Sequence, residues 1–160
     1  MAKKGKRKAA AGDVASNRQA SFRYQFLERL ECGIALTGTE VKSLRGGKAQ
    51  LKDGYAAVRD GELWLHNVHI PPYPPAAQAN HDPERDRKLL VHRRELERLI
   101  GKTQERGLTL VPTRMYFSGR HAKVELALAR GKDVHDKRET IRRREQQREV
   151  ERALRDAQRR

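Results

Sequence analysis

The chain has 160 residues and a formal net charge of +15, from 36 Lys and Arg against 21 Asp and Glu. Leu, Ile, Val and Phe total only 32, of which 27 fall between residues 21 and 129, so one core domain with two charged arms is expected. No apolar run approaches the ~20 residues of a membrane span, no secretory h-region follows the basic N-terminus, and the single cysteine, Cys32, excludes an internal disulfide or a Cys-based zinc site.

Residues 1–20, 21–129 and 130–160 each net +5, so the arms are the most basic parts per residue. A polyanion is the natural partner, because each Lys or Arg placed at a phosphate releases a condensed counterion. Nucleic acid is favoured over an anionic membrane, since neither arm carries the aromatic and leucine face of an interfacial helix. A reducing cytoplasm is the expected compartment.

In chain order, residues 1–15 read as a disordered basic arm, with structure starting at 16. Along Ser21–Leu36 two periods compete. Phe22, Tyr24 and Phe26 alternate as in a strand, while Leu27, Leu30 and Ile34 have helical spacing; β propensity favours strand. Thr37-Gly38-Thr39 with Glu40 in the first turn opens a short helix that the Gly46-Gly47 pair ends. Gly54–Arg59 and Glu62–Ile70 form a hairpin through Asp60-Gly61, which suits a type I′ turn. The Pro-rich stretch 71–83 is a loop, and a helix is predicted over His92–Glu105. Thr109, Val111, Thr113, Met115 and Phe117 alternate up to Ser118-Gly119, and Val124, Leu126 and Leu128 alternate after it, giving a second hairpin.

The tally predicts a mostly β fold: a small antiparallel OB-like β-barrel over 16–130, with two or three short surface helices. Residues 131–160 contain good helix formers and only four large apolar residues, Val134, Ile141, Val150 and Leu154. They read as a basic tail that is disordered alone and helical on binding.

Few residues suggest catalysis. His66 and His69, three apart in a strand, point to opposite faces and cannot share a metal. His81-Asp82 reads as a turn, and Cys32 as inert core. Basic and aromatic residues interleave at Phe22, Arg23, Tyr24 and at Arg114, Met115, Tyr116, Phe117, where exposed rings would stack on bases; the alternative is that Phe22, Phe26 and Phe117 are core. Lys42 and Arg45 on the short helix, and Arg85, Arg87, Lys88, Arg93 and Arg94 beyond the Pro-rich loop, form two basic clusters.

Four segments, LTGTEVKSLR (36–45), Lys52-Asp53-Gly54-Tyr55, DPERDRKLLVHRREL (82–96) and GKDVHDKRETIRRRE (131–145), together resemble the SmpB family of SsrA-binding proteins, from Asn17 almost to the end. The resemblance implies an OB-like barrel that clasps the tRNA-like domain of transfer-messenger RNA and rescues stalled ribosomes by trans-translation. It implies a tail that enters the decoding centre and the empty mRNA channel of the small ribosomal subunit and folds there as a helix. Alanyl-tRNA synthetase and elongation factor Tu are implied as partners through the RNA. The expected protein is a monomer without cofactor, metal or catalysis.

Carried over onto this sequence, Asn17, Glu31, Lys42, Arg45 and Lys88 match family positions for the tRNA-like domain; Tyr24 and Arg87 join them from the interleaved and basic clusters. Glu31, an acid in a basic site, would accept hydrogen bonds from a base or 2′-hydroxyl. His135, Asp136, Lys137 and Arg138 match the decoding-centre signature, and Gly131, Lys132, Arg142 and Arg143 share its segment. Asp133 stands where many relatives have lysine and is assigned no contact. Two rivals are another ribosome-associated OB protein and an HD-type nuclease using His81-Asp82 and His135-Asp136.

Overall fold

The computed structural model describes residues 12–47, 49–104, 107–132 and 134–159, without the side chains of 134–137. The arm at 1–11 therefore lies outside the described residues. Among the described residues there are seven strands: β1 (Asp13–Ser16), β2 (Tyr24–Ile34), β3 (Tyr55–Arg59), β4 (Glu62–His66), β5 (Arg87–Leu90), β6 (Leu108–Ser118) and β7 (His121–Gly131). Four α-helices accompany them: α1 (Ala20–Arg23), α2 (Gly38–Arg45), α3 (Arg93–Thr103) and α4 (Val134–Gln158). None is long and apolar enough to cross a membrane.

All pairings are antiparallel. The ring β6–β3–β4–β5–β2–β7 closes on itself through the β6–β7 pairing, and β1 adds to β6. Closure removes the sheet edges, as expected for a small antiparallel barrel. The core inside it includes Leu30, Cys32, Ile34, Leu63, Leu65, Leu89, Leu110, Met115, Val124, Leu126 and Leu128. Burial pushes the Cys32 thiol up to about 12, so it is an inert core residue.

Both tight hairpins are where their turn residues place them. Asp60 and Gly61 have φ of 52° and 73°, the left-handed pair that a type I′ turn requires. Gly54 precedes β3 because a Cβ there would lie 2.7 Å from Val68 Cγ2 and 2.9 Å from Pro112 Cγ.

Two expectations are corrected. The barrel begins at Asp13, because β1 pairs with β6, and it continues to Gly131, which pairs with Tyr24. The strand expected from Ser21 starts only at Tyr24; Phe22 belongs to α1. The tail takes the helical form expected of it, as α4 from Val134 to Gln158. Its Ile141, Val150 and Leu154 are exposed, so helix-forming residues rather than an apolar face hold it.

The competing periods in β2 have a structural cause. The register slips between Phe26 and Glu28, leaving Leu27 as an extra, exposed residue. Before this bulge Tyr24 and Phe26 share a face with Gly131 and Ala129; after it Glu28, Leu30 and Cys32 share the opposite face with Leu128, Leu126 and Val124. β6 has a matching slip between Pro112 and Arg114. Thus Val111 joins Ala20, Ala129, Tyr24 and Phe26 in a small outer cluster, while Met115 and Phe117 turn inward. The single apolar face expected along β6 is split in two.

Candidate nucleic-acid interface

Downstream of the two bulges, the outer face of β2–β7–β6 is a lattice of charge. Arg29 stands opposite Ala127, Glu31 opposite Glu125, and Glu125 opposite Arg114 in turn. Two carboxylates directly across a ladder repel, so each needs its own donors. Glu125 accepts from Thr113 Oγ1 at 2.9 Å, Arg114 Nε at 3.0 Å and Arg29 Nη1 at 3.2 Å. Arg114 also reaches Asp13 of β1 at 3.1 Å. Burial would raise the Glu125 carboxyl, but these hydrogen bonds and the charges of Arg114 and Arg29 outweigh it and lower it.

Glu31 is different because its side chain is 54% exposed. It accepts the Tyr116 hydroxyl hydrogen on one oxygen and Lys123 Nζ at 3.0 Å on the other. Those two donors lower its carboxyl, Tyr116 foremost. The Tyr116 hydroxyl is pushed up to about 12 by burial and by its bond to Glu31, and Arg114 lies over its ring at 4.4 Å. Glu31 is therefore an ionised acceptor held at a fixed place, with lone pairs facing solvent.

Beside it runs a shallow groove. Glu31, Gly33, Leu90, Val91, His92, Glu95 and Lys123 line one concavity. A second shares Gly33, Leu90 and Lys123 and extends to Val41 of α2 and Arg120 and His121 of the β6–β7 turn. Leu90 is 54% exposed and pairs with Gly33. An acceptor, a cation and an exposed apolar surface thus stand together, a combination suited to a ribose or base edge with a neighbouring phosphate. Leu90 and Lys123 were not singled out from sequence; Tyr116 was, as a candidate stacking ring, and here its hydroxyl holds Glu31. Leu89-Leu90 carries the missed signal: consecutive leucines in one strand cannot both face the core.

The other candidates divide. Lys42 and Arg45 are exposed on α2, over the rings of Tyr73 at 5.6 Å and Phe117 at 4.8 Å. Lys88 is half-exposed on β5 and bonded to Glu62 at 2.8 Å. Tyr24 packs in the small outer cluster.

Arg87 is corrected. It is fully buried, with Nε on Glu40, Nη1 on Val68 O at 2.7 Å and Nη2 on Pro83 O at 3.0 Å. Its guanidinium ties β5 to α2 and faces no solvent. Arg85 shares Glu40, whose carboxyl also accepts from the Thr37 N–H at 3.1 Å. Asn17, half-buried, is bound to backbone: Nδ2 donates to Leu51 O at 3.2 Å and Pro112 O at 3.1 Å, and Oδ1 accepts from Ala20 N–H at 3.2 Å. Both amide hydrogens are engaged, so Asn17 positions backbone.

His81-Asp82 is a clip. His81 Nδ1 meets Thr39 Oγ1 at 2.9 Å and Nε2 meets Ile70 O at 3.0 Å, while Asp82 accepts from Glu84 N–H. His66 and His69 pair with different carboxylates, Asp86 and Glu84. Among the described residues no three His, Cys, Asp or Glu side chains are grouped to hold a metal.

In the tail segment, Gly131 ends β7 and Lys132 is held against α1, so both belong to the barrel's edge rather than to a free tail. Arg138, Arg142 and Arg143 are exposed on α4. The side chains of His135, Asp136 and Lys137 lie outside the described residues.

Comparison with known proteins agrees with this architecture. The family model for SmpB protein matches residues 14–156. The SsrA-binding protein of Gloeothece citriformis (strain PCC 7424) is 56% identical over 142 residues, covering 88% of this chain and 92% of that protein. That of Carboxydothermus hydrogenoformans is 55% identical over 142 residues, covering 89% and 95%. A solved chain from "tmRNA-SmpB: a journey to the center of the bacterial ribosome" superposes with a TM-score of 0.66 at 52% identity, over 81% of this chain and 94% of that one. A closed barrel bearing an outer acid–cation groove, matched over nearly its full length by these relatives, belongs to the SmpB family.

Proposed function

We propose that the chain binds the tRNA-like domain of transfer-messenger RNA and brings it to stalled ribosomes for trans-translation. The observation that carries the reading is Glu31: an ionised acceptor, pinned by Tyr116 and Lys123 beside exposed Leu90, on a protein of net charge +15. An acid in that setting repels phosphate and selects a hydroxyl or amino donor, which charge alone cannot do. The relatives named SsrA-binding protein and the tmRNA–SmpB ribosome structure support the same reading.

Lys42, Arg45 and Lys88 supply phosphate contacts, and Tyr24 contributes from the outer cluster at the other end of β2. Asn17 and Arg87 shape the surface from behind it. The helix α4, with exposed Arg138, Arg142 and Arg143 and the His135-Asp136-Lys137 segment at its root, is the part that probes the decoding centre and mRNA channel of the small subunit. The protein acts in the cytoplasm by binding alone. Alanyl-tRNA synthetase and elongation factor Tu associate through the RNA.

The deciding experiment measures binding to transfer-messenger RNA against an equal mass of unrelated structured RNA at two salt concentrations. A preference that survives the higher salt is expected. Equal affinities that fall together with salt would leave a basic barrel with no specific partner.

A further inference from the structure

The single tryptophan of the chain, Trp64, belongs to neither apolar cluster. Its neighbours Leu63 and Leu65 on β4 are buried inside the barrel, so strand alternation turns Trp64 onto the outer wall, where it is half-buried. Directly across the ladders stand Ala57 on β3 and Lys88 on β5. Ala57 offers only a methyl group, and the group that covers the indole is Arg59, its guanidinium 4.8 Å from the ring centroid. Asp86 pairs with Arg59 at 3.8 Å and with His66 Nδ1 at 2.9 Å, and the His66 ring lies 5.1 Å from that of Tyr55. Glu62 accepts from Lys88 at 2.8 Å.

A ring this large would contribute most to stability inside the core. Here it lies instead on a sheet wall under a guanidinium, which makes a cationic plate. Nucleobases stack on indole rings and on guanidinium planes alike. Glu62 and Asp86 are both matched by cations, so neither stands uncompensated against a phosphate. A basic peptide finds no free carboxylate between them, and the net charge of +15 repels it.

The wall is continuous with the Glu31 groove. Lys88 and Leu90 alternate onto the same side of β5, and Leu90 lines that groove beside Gly33, its ladder partner on β2. Trp64 stands two strand spacings across and two residues along from Gly33, roughly 12 Å, which a few nucleotides of one strand span.

We propose that Trp64, with Arg59 held over it, is a stacking platform for an unpaired base of the RNA whose neighbouring nucleotides lie in the Glu31 groove. Lys88, between the two places, takes the phosphate that links them. The proposal rests on RNA binding at Glu31, but its readout is separate.

The test uses the full chain, whose indole emission comes from Trp64 alone. Titration with transfer-messenger RNA should lower that emission by about half or more and protect the remainder from acrylamide. Trp64→Leu should weaken binding roughly tenfold with the salt slope unchanged, and Trp64→Phe, which keeps a ring, about threefold. Arg59→Gln should also cost about threefold. Emission and acrylamide access unchanged at saturating RNA, or full affinity in a folded Trp64→Leu variant, overturns the platform. Should Trp64→Leu fold poorly, the parent emission and Arg59→Gln still decide it. Unrelated structured RNA forms the second arm. Equal affinity for it would refute the proposed function, while the emission would still report whether Trp64 stacks on bound RNA.

Discussion

The carboxylate of Glu40 on α2 closes on the guanidinium of Arg87 on β5, and both side chains are fully buried. Burial alone would raise the Glu40 carboxyl. Hydrogen bonds from Arg87, Arg85 and the Thr37 N–H outweigh it and bring the group from 4.5 to about 2. The folded value is depressed, so the stabilisation is complete above the unfolded value and is lost as pH falls from about 5 towards 2. Glu40→Gln should flatten the acid limb of the unfolding midpoint in that window. Glu40→Ala and Arg87→Ala should each cost about 3–5 kcal/mol in denaturant unfolding, and the double variant less than their sum. A purely additive result would show that the two groups do not act as a pair.

Glu31 makes a contrasting prediction because it is exposed. Glu31→Ala should weaken binding to the tRNA-like domain by roughly tenfold without changing the salt slope. Lys123→Ala should instead reduce that slope by about one. Tyr116→Phe keeps the ring and removes the donor that holds Glu31, so a smaller loss is expected, about threefold. Since Tyr116 and Lys123 hold the Glu31 carboxyl below its usual range, affinity should stay flat from pH 8 to 5. Undiminished binding by Glu31→Ala in a filter or fluorescence titration would remove it from the interface.

What the sequence reveals here is what local chemistry determines. Asp60-Gly61 and Ser118-Gly119 mark their hairpins because turn type depends on the residues in the turn. The helix at Gly38–Arg45 is legible because Thr37 and Glu40 lie within one turn. Leu27 and Thr113 are illegible for the opposite reason: a bulge is an extra residue judged against a partner strand, and no periodicity within β2 or β6 reports it. Arg87 looks like its basic neighbours until Glu40 is brought against it from 47 residues away. Lys123 and Leu90 acquire meaning only from the pairings that place them beside Glu31 and Gly33.

Gly54 tests the packing of the barrel end. A methyl group at this position meets Val68 and Pro112 at distances that real Cβ atoms do not tolerate. Gly54→Ala should cost about 1–3 kcal/mol of stability, and Val68→Ala should relieve part of the strain in the double variant, although it costs stability alone. Thermal or chemical unfolding of the four proteins measures it. No destabilisation by Gly54→Ala would mean that this corner of the barrel yields without cost.

The border between barrel and tail can be found by truncation. Ending the chain after Lys132 keeps Gly131 paired with Tyr24 and keeps the Lys132 N–H on Arg23 O, so β7 stays closed. The removed helix exposes Ile141, Val150 and Leu154 and holds no part of either apolar cluster. The unfolding midpoint should therefore be nearly unchanged and transfer-messenger RNA binding should stay within twofold, while peptide transfer on stalled ribosomes is abolished. Ending the chain after Arg130 instead removes both backbone ties and should lower the midpoint as well. The two truncations differ by only two residues, so a difference in stability between them locates the end of the fold at Lys132 rather than at 130. If the longer truncated chain lost RNA binding as fully as peptide transfer, α4 would be part of the RNA-binding surface, and its assignment to the mRNA channel would be wrong.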